Sequence, residues 1–180
     1  MGGFTDLRLE ERLHIPHGGG TPNLDVALDS PGRLVGVESK LTEHLAPRSP
    51  RPWRPAYRRP QMAAALDGGW ADVFAALLEG SWAPRFLDAG QLVRHALSLR
   101  ALDRESHLVL LFWEPADGAA HPEVVDHRAE VAELVSRLGD RASPGFHAQS
   151  HASLWAGWEA TRPEHVAALR ARYEVAVGSS

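Results

Sequence analysis

The chain has 180 residues, of which 44% are hydrophobic and 23% charged, with no cysteine and a formal net charge of −4. These values are ordinary for a folded domain, and they exclude a disulfide-stapled scaffold, thiolate chemistry and a uniformly basic surface. No apolar run approaches the ~18–20 residues that span a bilayer, and no signal-peptide pattern is present. We therefore expect one cytoplasmic domain over residues 1–180.

The first forty residues predict three strands joined by short turns. Residues 7–15 alternate between apolar and polar side chains, which predicts a strand with Leu7, Leu9, Leu13 and Ile15 on one face. Residues 23–28 and 33–40 predict two more strands, and the Asp-Ser-Pro-Gly sequence at 29–32 is typical of a hairpin turn. Short connections of this kind predict an antiparallel meander.

The rest of the chain predicts helices with two further strands among them. Helical patterns cover 61–78, with a break near Gly68 and Gly69, and then 88–99, 122–138, 153–158 and 163–173. A continuous apolar run within 106–113 predicts a strand buried on both faces, and 146–151 predicts a short strand. The order of elements indicates an α/β fold, bordering on α+β, with a mixed sheet flanked by helices.

Lys40 is the only lysine in the chain, and the other eighteen basic side chains, histidine aside, are arginine. Lysine offers a compact ammonium with a movable pKa, whereas arginine is a planar group that stays charged. Residues two apart in a strand point to the same side, so Glu38 and Lys40 share a face. The turn at 29–32 brings Asp25 close to Glu38 if the two strands pair.

Two carboxylates, from Asp25 and Glu38, and the backbone carbonyl of Ser39 would form an oxygen-rich corner that suits Mg²⁺ or Mn²⁺. Such a metal polarises a phosphodiester and generates hydroxide, while Lys40 would orient the attacking water and offset charge on phosphorus. This pattern predicts a metal-dependent phosphodiesterase centre. The alternative is a hairpin that carries Glu38 and Lys40 on a solvated polar face.

These residues resemble the core of the PD-(D/E)XK nuclease superfamily. The similarity lies in Pro-Asn-Leu-Asp at 22–25, the hairpin, and Val-Glu-Ser-Lys-Leu-Thr-Glu at 37–43. It is strongest to bacterial restriction-endonuclease-like members, whose third strand reads Glu-Ser-Lys-x-Thr-Glu. Residues 86–97 also resemble the later helix of those proteins, and the resemblance extends over about residues 7–160.

The resemblance implies a restriction-endonuclease-like mixed sheet and metal-dependent endonucleolytic hydrolysis of DNA. Asp25, Glu38 and Lys40 would be catalytic, with Asp25, Glu38 and the Ser39 carbonyl as metal ligands. Further contacts to these groups or to the substrate are expected from four residues: Glu10, Glu43, Gln91 and His95. For Gln91 and His95, the alternative is the polar face of an amphipathic helix, which is the preferred interpretation for Asp88.

The sequence departs from the family pattern at its start. Many such nucleases have a helix before the first strand that supplies another acidic ligand, whereas only a few residues precede Leu7 here. We expect either that this N-terminal helix is lacking or that Glu10 or Glu11 takes its place in the metal site.

A proline-rich segment concentrates positive charge in this acidic protein. Between residues 48 and 59 there are five arginines and no acidic residue, with Trp53 and Tyr57 among them. One interpretation is a phosphate-binding loop with aromatic stacking, in which Arg51, Arg54 and Arg58 contact DNA phosphates. The other is a solvated loop whose arginines pair with acidic groups elsewhere on the protein.

The sequence leaves three functions open. The first is a Mg²⁺- or Mn²⁺-dependent DNA endonuclease, with a homodimer as one expectation because double-strand cutting needs two active sites. The second is a catalytically inactive DNA-binding or accessory protein with a nuclease fold. The third is a metal-dependent phosphoesterase that acts on nucleotides or small phosphate esters.

Overall fold

The computed structural model describes residues 3–49 and 51–178. Five strands form one mixed sheet in the order β1-β2-β3-β4-β5. The first three strands pair antiparallel, whereas β3 with β4 and β4 with β5 pair parallel. The strands are β1 Asp6–Arg12, β2 Asn23–Ser30, β3 Arg33–Lys40, β4 Glu105–Phe112 and β5 Gly145–Ser150.

In the described part of the chain six α-helices accompany the sheet, and together they confirm the predicted α/β fold. They are α1 Pro60–Ala64, α2 Gly68–Glu79, α3 Ala89–Arg100, α4 Pro122–Leu138, α5 His151–Trp158 and α6 Pro163–Tyr173. The first three lie between β3 and β4, and α4 lies between β4 and β5. Within the described ranges, no helix is long and apolar enough to cross a membrane.

The main core lies between the sheet and helices α2, α3 and α4. Successive parallel crossovers in one direction have the same handedness, so α3 and α4 cover the same face. The β4 side chains alternate accordingly: Leu108, Leu110 and Phe112 are buried, whereas Val109 and Leu111 are half-buried. The prediction that β4 is buried on both faces is therefore wrong for its second face.

The first strand also differs from its prediction. It ends at Arg12, and Leu7 and Leu9 are 58% and 68% exposed, while Leu13 and Ile15 are buried beyond its end. Glu10 has a φ of 51°, in the left-handed region, which breaks the alternation of an extended strand. A single apolar face over 7–15 is therefore wrong, because Leu7 and Leu9 are exposed on an edge strand whereas Leu13 and Ile15 are buried beyond its end.

Gly69 of α2 packs directly against the backbone at the end of α4. A Cβ added there would lie 2.4 Å from both Cα and the carbonyl oxygen of Leu138. We expect Gly69→Ala to destabilise the fold by about 1–3 kcal/mol despite the better helix propensity of alanine, because backbone cannot move aside cheaply. Urea unfolding would measure this loss.

Gly157 in α5 is the matched control for this substitution. An added Cβ meets no atom within 4 Å there. Gly157→Ala should therefore leave the urea midpoint unchanged or raise it, since alanine is the better helix former. Equal midpoints for the two variants would show that the α2–α4 contact is not as close as described.

Candidate active site

The β2–β3 hairpin brings the three predicted catalytic residues together. Val26 pairs with Val37, so Asp25 and Glu38 follow at the same end of the hairpin. The backbone N–H of Ser39 donates to Oδ2 of Asp25 at 2.6 Å. The ammonium of Lys40 forms an ion pair with Oε1 of Glu38, because residues 38 and 40 project from the same side of β3.

Two polar side chains of helix α3 also contact the Glu38 carboxylate. Nε2 of Gln91 donates to Oε1 of Glu38 at 2.7 Å. Nε2 of His95, one turn later, lies 3.0 Å from Oε2 of Glu38. Both His95 and Glu38 are fully buried. The interpretation of His95 as part of a solvated polar face is therefore wrong, and Gln91 is directed at the site.

The contact between His95 and Glu38 leaves buried polar atoms without a partner. The two atoms are close but are not aligned for a hydrogen bond, and Oε2 of Glu38 has no other partner. A buried carboxylate oxygen in this state fits a cation or a bound water. The charge and oxygen chemistry of Asp25 and Glu38 thus suit a hard divalent metal.

Among the described residues, Asp25 and Glu38 are the two carboxylates that the hairpin brings together for such an ion. Within the described ranges, no group of three or more histidine, cysteine or acidic side chains is placed to hold a metal. The remaining positions would belong to a backbone carbonyl, waters and a substrate phosphate. That division is typical of Mg²⁺ sites, which use one or two carboxylates and keep several waters.

The two carboxylates differ in their electrostatics. Burial raises the pKa of Asp25, and the neighbouring Glu38 raises it further, although the Ser39 N–H acts against this. Burial also acts to raise the pKa of Glu38, but interactions with His95 and Lys40 outweigh it and leave that pKa below its usual value. The same burial thus leaves the charged form of Asp25 disfavoured, whereas the charged form of Glu38 is held by its cationic and hydrogen-bonding neighbours.

A cap at the start of α3 sets the position of Gln91. Oδ1 of Asp88 accepts the backbone N–H of Gln91 at 2.9 Å, and its other oxygen pairs with Arg48. The carboxylate of Glu130 accepts the three backbone N–H groups of residues 85–87 and fixes the preceding loop. Asp88 was predicted as part of a polar face. An aspartate just before an apolar periodic run was the missed signal for its role as N-cap.

Three other acidic residues take different roles. Glu10 lies across β1–β2 from Asp25, between the Leu9–Val26 and Glu11–Leu24 pairs, and it accepts a weak hydrogen bond from Asn23 at 3.5 Å. Glu11 pairs with Arg8 at 3.2 Å. Glu43 accepts the backbone N–H groups of residues 41 and 42 at 2.8 and 3.0 Å, so it holds the turn after β3.

The arginine-rich loop at residues 48–59 contains two kinds of side chain. Some are part of the fold, and others form no ion pair with a described carboxylate. Tyr57 is buried and its hydroxyl donates to the Gly19 carbonyl, so the prediction that it stacks on a ligand is wrong. Among residues 3–49 and 51–178, no carboxylate forms an ion pair with Arg51, Arg54 or Arg58. The alternative that these arginines pair with acidic groups of the protein does not hold for the part of the chain described.

A buried histidine pair that the sequence does not predict lies beside the site. The rings of His44 and His127 lie 4.3 Å apart, and both pack against Phe112. They line a small cleft together with Glu38 and Lys40. Burial lowers the pKa of His44, and burial and the neighbouring His44 lower the pKa of His127 to about 3.

The histidine pair predicts a loss of stability in acid. The pKa of His127 is lower in the folded chain than in the unfolded chain, so below about pH 6.5 the unfolded state binds the extra proton. The free energy of unfolding should therefore be constant above that pH and fall by about 2 kcal/mol by pH 5 from this group. Urea titrations at pH 7.5 and pH 5 would measure this difference in the free energy of unfolding.

His127→Phe should remove most of this pH dependence, because phenylalanine fills the same apolar space and takes no proton. The exposed His14 provides the control, since His14→Ala should keep the wild-type dependence. A wild-type protein equally stable at pH 7.5 and 5 would contradict the prediction.

One comparison with known proteins identifies a family. The family model described as "Restriction Endonuclease associating with ARP" matches residues 4–174. No curated protein and no solved structure matches the chain. The mixed sheet with flanking helices is consistent with a restriction-endonuclease-like α/β fold. Because the match covers nearly the whole sequence, this chain belongs to the family described as Restriction Endonuclease associating with ARP.

Proposed function

We propose that this protein is a divalent-metal-dependent DNA endonuclease of the PD-(D/E)XK type. The observation that carries the proposal is the convergence of Asp25, Glu38 and Lys40 at one end of the β2–β3 hairpin. A solvated hairpin face would leave Glu38 exposed, whereas its carboxylate is buried, with one oxygen held by Gln91 and Lys40 and the other 3.0 Å from His95. Membership of a restriction-endonuclease family supports the same chemistry.

The proposed metal is Mg²⁺ or Mn²⁺, held by Asp25, Glu38 and the backbone carbonyl of Ser39. The unpartnered Oε2 of Glu38 and the close Asp25 carboxylate support this assignment. When bound, such an ion supplies Lewis-acid polarisation of the phosphodiester and a more acidic water.

The residues of the chain would position and stabilise the reacting groups. Lys40 places its ammonium beside Glu38, where it can orient the attacking water and offset charge on the phosphate. Gln91 fixes one oxygen of Glu38 by donating to it, and the Ser39 N–H orients Asp25. Gln91 is in this sense a positioning residue, because it acts through Glu38.

DNA is the proposed substrate, and Arg51, Arg54 and Arg58 are the proposed phosphate contacts. Their side chains are exposed and free of ion pairs with described carboxylates, so the positive charge is available to a polyanion. A homodimer would supply the two active sites that double-strand cutting needs. We also propose that ARP, the associate named in the family description, is a partner of this protein.

The test is cleavage of supercoiled plasmid and of single-stranded DNA with Mg²⁺, Mn²⁺ or EDTA, with wild type beside Lys40→Ala. We expect metal-dependent cutting by wild type and none by the variant or in EDTA. A folded wild-type protein that never cuts would favour the accessory-protein alternative. Activity on mononucleotide analogues, unaffected by neutralising Arg51, Arg54 and Arg58, would favour the small-phosphoester alternative.

A further inference from the structure

An open cavity of about 650 Å³ lies next to the candidate active site, between the arginine-rich loop and the start of α3. Arg48 and Asp88 line both this cavity and the small cleft that contains Glu38, Lys40 and Gln91. The cavity has an apolar wall formed by Trp53, Leu77, Trp82 and Leu87. Its charged lining consists of three arginines and two carboxylates: Arg48, Arg51, Arg94, Glu43 and Asp88. A ligand in it would therefore sit beside the catalytic residues.

Trp53 is held rigidly at the edge of this cavity. Its ring packs edge-on against Tyr57 and Phe74, with centroids 5.0 and 5.4 Å away. The guanidinium of Arg94 lies over the indole at 5.5 Å, which adds a cation–π contact. Trp53 is nevertheless only half-buried, so part of a fixed aromatic surface remains open to a ligand.

A second cavity, of about 300 Å³, also has Trp53 in its wall. Arg51, Trp53 and Arg94 line both cavities, and Arg54 lines the second one. The second cavity reaches the turn at residues 19–22, directly before β2 and Asp25. Trp53, Arg51 and Arg94 therefore lie between two cavities. The larger cavity adjoins the cleft that contains Glu38 and Lys40 of β3, and the smaller one reaches the turn before β2.

Charge and size indicate what such a surface binds. The protein carries a net charge of −4, yet Arg51 and Arg54 form no ion pair with any described carboxylate. A flat indole flanked by guanidinium groups suits a ligand that has both an aromatic ring and a phosphate. Ligand sites generally measure about 300–1,000 Å³, which is room for a nucleotide and not for a duplex.

We propose that Trp53, Arg51 and Arg94 form a stacking site for an unpaired nucleotide of the DNA substrate. The base stacks on Trp53, and the arginines hold the adjoining phosphates. The nuclease then acts where a base is unpaired, either in a single strand or displaced from a duplex. The identity of the ligand as DNA rests on the proposed function.

Binding of labelled DNA in EDTA, followed by fluorescence anisotropy, tests this site without cleavage. The probes are a single strand, the matching duplex and the same duplex with one bulged base, with dAMP as competitor. Wild type should bind the single strand and the bulged duplex more tightly than the perfect duplex. Trp53→Ala should weaken binding of unpaired DNA by about 5- to 150-fold, the usual range for one stacked base. Binding of the perfect duplex should stay within about twofold.

Three further variants serve as controls and keep the test independent of folding. Trp53→Phe should retain most of the preference for unpaired DNA, because a smaller ring still stacks. Arg51→Ala should weaken binding of unpaired DNA more than binding of duplex. Arg58→Ala is the matched control, since Arg58 is exposed in the same loop but lines neither cavity, and it should weaken all probes slightly and equally.

Three results would overturn the inference. The first is a loss of affinity in Trp53→Ala that is equal for duplex and unpaired DNA. The second is no loss of affinity in either Trp53→Ala or Arg51→Ala. The third is competition by dAMP at the affinity of the single strand, which would assign the cavity to a free nucleotide. Trp53-dependent binding in a protein that never cuts would refute the proposed chemistry and keep this site. DNA cleavage by a protein whose binding shows no Trp53-dependent preference would support the proposed chemistry and refute the stacking site.

Discussion

Lys40→Met is expected to lower metal-dependent DNA cleavage by about 10²- to 10³-fold, the usual cost of removing one group that stabilises charge at the reacting centre. The Lys40 ammonium is only 15% exposed and is paired with a buried carboxylate, so it is fixed at the place where the phosphate would be attacked. Methionine keeps the length and the apolar stem of lysine but removes the charge and the donors. Plasmid cleavage rates with Mg²⁺ would measure the loss.

The same substitution should tighten the binding of Mn²⁺. Lys40 competes with any cation for the Glu38 carboxylate, and its removal leaves that buried charge unneutralised. Removal of a positive charge in contact with a metal ligand should improve metal affinity by about tenfold or more. Titration calorimetry at low ionic strength would show it, and a merely structural role for Lys40 predicts the opposite change.

Lys40→Arg is the matched control. It keeps the positive charge, so Mn²⁺ affinity should stay near that of wild type, while cleavage should remain low because a planar guanidinium cannot place the ammonium donors. Full cleavage by Lys40→Met, or weaker Mn²⁺ binding in that variant, would contradict the assignment of Lys40 as catalytic.

Much of the fold could be predicted from the sequence because its signals are local. The third strand and the helix at 122–138 have the predicted bounds. The signals that set these bounds each lie within a few residues: apolar alternation, the Pro-Gly turn before the strand, and the glycine that ends the helix. The shared face of Glu38 and Lys40 follows from the period of a strand, and the hairpin turn then fixes Asp25 beside Glu38.

The rest depended on contacts between distant parts of the chain. His95 was ambiguous because its burial is decided by the sheet that α3 packs on, and Glu38 is 57 positions away from it in sequence. Tyr57 was mistaken for a ligand contact because its partner, the Gly19 carbonyl, is supplied by another loop. The exposure of Leu7 and Leu9 follows from the position of β1 at the edge of the sheet, which alternation alone does not reveal.

Asp25→Asn should separate metal binding from folding. The amide oxygen of asparagine can still accept the Ser39 N–H, so the hairpin end should persist. The negative charge is lost, and with it one of the two carboxylates that converge at this end of the hairpin. We expect Mn²⁺ binding to disappear in calorimetry and cleavage to fall by at least about 10²- to 10³-fold, as when a main electrostatic group is removed from an active site.

The same variant should be at least as stable as wild type in EDTA. Burial and Glu38 raise the pKa of Asp25 above its unfolded value, so at pH 7 the charged carboxylate is less favourable in the folded state than in water. Removal of that charge should therefore leave the urea midpoint unchanged or raise it. This direction is typical of a charge kept for function at a cost in stability.

Asp29 provides the control on the same strand with the opposite sign. Arg104 and Arg8 pair with its carboxylate at 2.8 and 3.1 Å and lower its pKa, so the charged form is favoured in the folded state. Asp29→Asn should lower the urea midpoint at pH 7 and keep both Mn²⁺ binding and cleavage. If Asp25→Asn and Asp29→Asn destabilise the protein alike while Mn²⁺ still binds to both, Asp25 is a structural residue and not a metal ligand.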